Sequence, residues 1–345
     1  MLNPLLPRRP AYEALRPRMP EFVLMPEGEQ RCSLVAVLGP GEFFGRLDAI
    51  RSVDGYYLQK IASGIRFLKV IPSAHAERQL AANAVAEWVV KCGGRASLLL
   101  PGFPKQLDKD HVVLAYQYIP SRFAETTMAD LEVIGSSLAQ VHAALARMPD
   151  LDAVVAASAK RVALLNKRFH SVRSGGQLFG PRPQLMRDIF EAEVSLFALL
   201  GDSSERQPLH GDLVYANMVF PLEGGGLVML DFEDTLVSWL PIDLDVALAL
   251  ERFALLPAPT DADALRLAQA MLQKYGKGCG KARFLAHAPA DCLRLLAIRS
   301  LVTLSELEAV GTHVETSEWE KFFGLYQNAV DKHALLSRLE DEFCV

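Results

Sequence analysis

Apolar positions change period along the chain, and the changes mark its elements. Residues 21 to about 71 are rich in β-branched and aromatic residues and read as strands. Within them, Ser33–Leu38 is an apolar run broken by Gly39-Pro40-Gly41. Tyr56–Ile61 and Ile65–Ile71 flank Ala62-Ser63-Gly64, a connection short enough to join antiparallel strands. Pro72-Ser73 then opens a helix to about Val90, and Cys92-Gly93-Gly94 suits its stop. A second strand pair is expected over Ala96–Leu100 and Val112–Tyr118, ending at Pro120-Ser121.

The period then lengthens. Leu131, Ile134, Leu138, Val141 and Leu145 recur at three- and four-residue steps, which predicts a helix over about Met128–Met148 with this stripe in the core. Residues 151 to 205 read as helices on either side of a Ser174-Gly175-Gly176 loop. Met218-Val219-Phe220 and Leu227–Leu230, joined through Pro221–Gly226, make a hairpin. Four helical blocks follow Asp243: Val246–Leu255, Ala262–Tyr275, Asp291–Val310 and Glu318–Leu339. The expected class is α+β, with a small antiparallel sheet and one helix followed by a larger helical part holding one hairpin.

Composition narrows the function. The 345 residues are 50% hydrophobic and 22% charged, the balance of a folded globular protein. A net charge of −5 offers no general attraction to nucleic acid or to an anionic membrane. Five cysteines, at 32, 92, 279, 292 and 344, contain no close pair, which argues against a disulfide framework or a structural zinc site. No apolar stretch approaches the roughly 18–20 residues that span a bilayer. The first 20 residues carry Arg8, Arg9, Arg16 and Arg18 and lack the apolar core of a signal peptide, so a cytoplasmic location is expected.

The densest polar signal is Leu209-His210-Gly211-Asp212-Leu213-Val214-Tyr215-Ala216-Asn217, followed across the hairpin by Asp231-Phe232-Glu233-Asp234. The hairpin folds Asp231 back toward Asn217. An amide oxygen and a carboxylate oxygen are hard ligands of the kind Mg²⁺ takes, with phosphates and water completing the shell. Asp212 stays outside that shell, where it can accept the proton of an attacking hydroxyl. The remaining histidines, at 75, 111, 142, 170, 287, 313 and 333, form no ligand spacing.

These two motifs resemble the aminoglycoside phosphotransferase and choline kinase family of small-molecule kinases, relatives of the protein kinases with the same two-lobed fold. Gly211 stands where protein kinases usually have Arg, which favours the small-molecule branch. The resemblance extends more weakly over roughly residues 47 to 330. Ile134-Gly135 with Leu138–His142 is similar to the family's helix after the interlobe hinge. Pro241 with Asp243–Ala247 is similar to its segment after the metal-binding loop. The resemblance implies ATP and Mg²⁺ as cofactors, Asp212 as catalytic base, His210 as a brace of its loop, and Asn217 and Asp231 as metal ligands. It also implies an N-terminal arm with extra strands over residues 1–45, a nucleotide-binding lobe over 46–119, and a catalytic and substrate lobe over 120–345.

In the first lobe, Lys69 within Arg66–Ile71 resembles the strand lysine that contacts the α- and β-phosphates. Gly55, in the loop Ser52–Tyr57, takes the place of the usual glycine-rich phosphate cover, with Asp54 beside it. Lys69 has two candidate helix partners, Glu77 and Glu87, of which Glu77 is preferred. Backbone groups of Gln117 and Ile119 are expected to pair with the adenine edge. Asp243 or Asp245, Asp245 being the better fit, is expected to accept backbone hydrogen bonds from the catalytic loop. Glu233 and Asp234 could serve the metal or face the acceptor. The acceptor implied is a small hydroxylated metabolite such as a sugar, amino alcohol or hydroxy amino acid. Lys160, Arg161, Lys167 and Arg168 lie close together, and no concentrated acidic face suits a polycationic aminoglycoside. A nucleotide-binding pseudokinase and a protein kinase remain as alternatives, and the sequence leaves the oligomeric state open.

Overall fold

The hairpin around Ala62-Ser63-Gly64 organises the N-terminal sheet. The structure, a computed structural model, describes residues 21–46, 55–149, 151–196 and 206–345. In it β3 (Gly55–Ile61) and β4 (Gly64–Pro72) pair antiparallel from Gly55↔Val70 to Ile61↔Gly64. Gly64 has φ +135°, a backbone conformation that side chains rarely adopt, and so closes the two-residue turn. With β1 (Phe22–Leu24), β2 (Glu42–Arg46), β5 (Lys105–Gln106) and β6 (His111–Gln117) they form a six-stranded sheet ordered β1-β2-β3-β4-β6-β5. Its core is built from Phe43, Tyr57, Leu68, Val113 and Ala115.

Two expectations fail here. Ser33–Leu38 belongs to a helix, α1 (Glu29–Leu38), and not to a strand. Leu34 of that helix is fully buried against the sheet core, with Val35, Val37 and Leu38 beside it. Three- and four-residue steps therefore decide the segment over its β-branched composition. Ala96–Leu100 is likewise no strand. It touches the strands only through single bridges, Ala96 with Met229 and Leu99 with Tyr116, while β6 pairs with β4 and β5. The helix expected after Pro72 is present as α2 (Ala76–Lys91), behind one 3₁₀ turn.

The described residues divide into two compact units. The strand-rich one takes residues up to Phe123 together with Ala216–Glu233; the helical one takes Ala124–Tyr215 and Asp234–Val345. The hairpin β9 (Met218–Pro221) and β10 (Val228–Met229) thus sits with the first unit, where β7 (Ser121–Phe123) adds a third strand to it.

In the helical unit, α3 (Met128–Leu145) and α7 (Asp261–Cys279) pack closely. Each starts on a threonine cap, Thr127 accepting from the Asp130 N–H and Thr260 from the Asp263 N–H. Gly135 permits the approach, because a Cβ there would stand 2.1 Å from the Met271 carbonyl oxygen. Gly135→Ala would gain roughly 1 kcal/mol of helix propensity. The backbone clash outweighs that gain. A net loss of about 1–3 kcal/mol is expected from overpacking, read as a lower denaturation midpoint.

The other helices are α4 (Leu151–Arg173), α5 (Pro183–Ala192), α6 (Asp243–Leu250), α8 (Pro289–Ala309), α9 (Thr316–Asp331) and α10 (His333–Phe343). The block expected over Glu318–Leu339 is two helices broken at Lys332. Trp319, Phe323 and Tyr326 make one buried stripe and Leu335, Leu336 and Leu339 another. β8 (Arg206–Pro208) and β11 (Trp239–Pro241) pair on either side of the loops that carry the site.

Candidate functional site

In the strand-rich unit, β4, β6 and the hairpin enclose a cavity of about 290 Å³. Lys69, Asn217, Asp231, Gln117 and Ile119 all line it. Lys69 is buried, and its Nζ lies 3.2 Å from Glu233 Oε1 and 3.9 Å from Asp231 Oδ2. The second carboxylate oxygen of Glu233 meets Arg78 Nε at 3.2 Å. A buried ammonium needs such partners, since desolvating an unpaired charge is very costly.

The hairpin brings its two ends together as the sequence implied. Leu230 N–H donates to the Asn217 carbonyl at 2.9 Å, so Asn217 and Asp231 flank one neck. Among the described residues Asp231 is the sole non-glycine with positive φ, at 58°. Such a conformation costs energy and recurs where a side chain must be aimed at a ligand. No group of three His, Cys, Asp or Glu side chains that could hold a metal occurs among the described residues. A divalent ion at this neck would have one amide and one carboxylate oxygen from the chain. That set suits Mg²⁺, which keeps several waters and takes phosphate oxygens.

Backbone groups at the end of β6 divide between two sides. Tyr118 N–H is spent on Ile65 O at 3.1 Å, on the β4 side. Ala115 O turns the other way and accepts from Leu100 N–H at 2.8 Å. Backbone groups alternate sides along a strand, so Gln117 shares the Ala115 side. Aromatic walls come from Tyr56 and Phe67, stacked at 5.8 Å between centroids, and from Tyr116. Burial pushes the Tyr116 phenol up to about 12, Lys69 opposing and Asp231 and Glu233 adding to the rise. It therefore stays a protonated donor at neutral pH.

Two expectations for this unit differ from what is seen. Glu77 is exposed in the first turn of α2, and Glu87 accepts from Asn83 at 2.7 Å. Glu233 and Asp231 both lie within 4 Å of Lys69, and the α2 side chain that lines the cavity is the buried Gln79. Gly55 begins β3 opposite Val70 and is not part of the cavity lining; a Cβ there would press on the Tyr57 ring at 2.6 Å. The rest of its loop, Ser52–Asp54, lies outside the described residues.

In the helical unit, Asp245 holds the His210–Asp212 loop. Its carboxylate accepts from His210 N–H at 2.8 Å and Gly211 N–H at 3.1 Å, the role expected of it. His142 Nε2 meets the same carboxylate at 3.3 Å, and its Nδ1 lies 2.7 Å from the Tyr275 hydroxyl. A carboxylate only accepts, so Nε2 carries the proton and Tyr275 donates to Nδ1. Burial drives the Tyr275 phenol well up, which keeps that donor protonated. Gly211 has φ +82°, and a Cβ there would lie 2.9 Å from Asp234 Cβ and 3.0 Å from Ser238 Oγ. Both conformation and space select glycine. His210 is fully buried, and its Nδ1 accepts from Asp212 N–H at 3.4 Å. Asp212 itself is exposed. Asp243, the other candidate, instead meets His287 Nδ1 at 2.6 Å.

A profile of the phosphotransferase enzyme family matches residues 48–285. Among solved structures, the chain is similar to a spectinomycin phosphotransferase in complex with ADP and spectinomycin. That match has a TM-score of 0.56 and 12% identity, covering 91% of this chain and 98% of the other. An aminoglycoside phosphotransferase from Alicyclobacillus acidocaldarius matches with TM-score 0.54 and 16% identity, over 92% and 97% of the two chains. An ethanolamine kinase from Plasmodium vivax matches with TM-score 0.52 and 11% identity, over 89% and 90%. At these identities the likeness is one of fold, the kinase-like α+β fold expected from the motifs. No curated protein matches significantly. Among the described residues no helix is long and apolar enough to cross a membrane.

Proposed function

The chain belongs to the phosphotransferase enzyme family, and on that premise we propose that it uses ATP and Mg²⁺ to phosphorylate a hydroxyl of a small metabolite. The observation that carries the reading is that Lys69, Asn217 and Asp231, from three separate sequence segments, line one cavity together with the end of β6 and the aromatic rings of Tyr56, Phe67 and Tyr116. The ADP-bound spectinomycin phosphotransferase supports a nucleotide in that role.

Each residue has a physical task. Gln117 and Ile119 offer backbone groups to the adenine edge. Lys69 sets a fixed positive charge beside the phosphates, where low dielectric strengthens it. Its present partners, Glu233 and Asp231, hold the ammonium in place until phosphate oxygens share it. Asn217 and Asp231 would hold Mg²⁺, which when bound neutralises charge on the phosphate oxygens. On the loop fixed by Asp245, Asp212 orients the acceptor hydroxyl and takes its proton. The hydroxyl oxygen then bonds to the γ-phosphorus as the bond to the β–γ bridging oxygen breaks, and ADP leaves with that electron pair.

Calorimetric titration of ATP with and without Mg²⁺ tests the nucleotide half. Asp231→Ala is expected to weaken Mg²⁺-dependent ATP binding by at least ~10-fold, the scale of losing one charge-assisted ligand. Binding of ATP without metal should change little. Equal Mg²⁺-dependent affinity in variant and wild type would remove Asp231 from the metal site.

A further inference from the structure

Beside the Asp212 loop, in the same helical unit, positive charge is left over. α4 packs against α8 and β11, and the seam carries Arg161 and Arg299. Arg161 Nη1 reaches only to 3.6 Å from Asp234 Oδ1, and it is buried with no hydrogen bond. Asp234 is the residue whose Cβ stands 2.9 Å from where a Gly211 Cβ would be, so this pair adjoins the catalytic loop. Arg299 is partly buried, and its guanidinium makes no hydrogen bond or ion pair among the described residues.

The acids nearby do not balance these charges. Asp245 is already engaged by His210 N–H, Gly211 N–H and His142. Asp234 is the carboxylate nearest Arg161, and it acts on Arg299 as well. Two turns further along both helices, Arg168 lies near enough to Glu306 to lower its pKa, although burial raises it overall, and Arg168 Nε and Nη2 are also buried without a hydrogen bond. Burial, with the like charge of Arg161 added, draws the Arg299 guanidinium down to about 10, and Asp234 and Asp245 only partly offset this. Arg161 has one long pair, to Asp234, and the Arg299 guanidinium has no direct partner, while the forked donors of both match carboxylate and phosphate oxygens.

We propose that Arg161 and Arg299 bind an anionic group of the acceptor, a carboxylate or a phosphate, so that the enzyme phosphorylates hydroxylated acids in preference to neutral or cationic alcohols. The inference rests on the phosphotransferase reading, with Asp212 taking the hydroxyl proton one residue from Gly211. It assigns the rest of the acceptor to the α4–α8 seam.

Two measurements on the full chain separate this inference from the reading beneath it. In the first, malonate and inorganic phosphate are titrated at saturating Mg²⁺·ADP, which occupies the nucleotide site, and binding is followed by calorimetry. One of the two anions is expected to bind saturably to the wild type and at least ~10-fold more weakly to Arg299→Gln, the scale of a lost charge-assisted contact. Arg299→Lys should recover part of the affinity, and the melting temperature of each variant controls for folding. In the second, ADP release is compared for glycerate and gluconate, for glycerol 3-phosphate and ribose 5-phosphate, and for glycerol, glucose, choline and kanamycin. Turnover is expected in one of the two anionic groups, which identifies the anion. KM for that acceptor should rise in Arg299→Gln while KM for ATP holds. Anion binding equal in wild type and Arg299→Gln, or turnover confined to neutral or cationic alcohols, would overturn the proposal. Arginine-dependent anion binding with no phosphorylation of any acceptor would uphold the anion site and count against the phosphotransferase reading instead.

Discussion

Asp212→Asn is expected to lower phosphoryl-transfer turnover by at least ~10²-fold while nucleotide binding is nearly kept. The amide preserves the size of the side chain and its hydrogen bonds as an acceptor, but it cannot take a proton. The backbone around it is fixed independently, by Asp245 on His210 and Gly211 and by the glycine conformation at 211, so the substitution changes chemistry and not shape. Single-turnover measurement against ATP binding provides the check. A variant that keeps wild-type turnover would show that the hydroxyl loses its proton elsewhere and would withdraw Asp212 from the mechanism.

Asp245→Ala is expected to destabilise the fold by roughly 3–5 kcal/mol, the scale of removing one member of a buried charged network. The loss would leave the N–H groups of His210 and Gly211 and the Nε2–H of His142 without their acceptor, all in buried or half-buried positions. Each unsatisfied donor costs about 1–3 kcal/mol. Asp245→Asn retains one acceptor oxygen and should lose less. Denaturant midpoints of the two variants give the comparison. If Asp245→Ala matched wild type in stability yet lost activity, the carboxylate would act on the reaction and not on the loop.

The parts of the site that sequence revealed are those held by local covalent distance. The hairpin returns Asp231 to Asn217 through a glycine-rich turn, so spacing alone implies that those two come together. Lys69 was legible for a similar reason, as a charge inside an apolar strand. Its partner was not. Glu233 lies 164 positions away, and only folding brings it to Lys69. The helix acids Glu77 and Glu87 were nearer in sequence, yet one is exposed and the other serves Asn83. The signal available was that Glu233 follows Asp231 by two residues and so shares its neighbourhood. The error at Ser33–Leu38 has a different origin. Val35 and Val37 suggested a strand, whereas the burial of Leu34 with Leu38 one turn on marks the helical face that docks on the sheet. Tertiary burial outranked intrinsic preference there.

Membership of Ala216–Glu233 in the strand-rich unit governs how the protein can be dissected. A fragment ending near Phe123 would carry Lys69 and the adenine-edge strand but lack Asn217 and Asp231, and so half of what the cavity offers a metal-bound nucleotide. Deleting the hairpin from the remainder would join Tyr215 to Asp234 and leave Asp212 three residues from the splice. A minimal nucleotide-binding piece therefore has to be assembled by grafting residues 216–233 onto the first segment through a designed linker. Simple truncation at either boundary separates Asn217 and Asp231 from Lys69, although the three line one cavity.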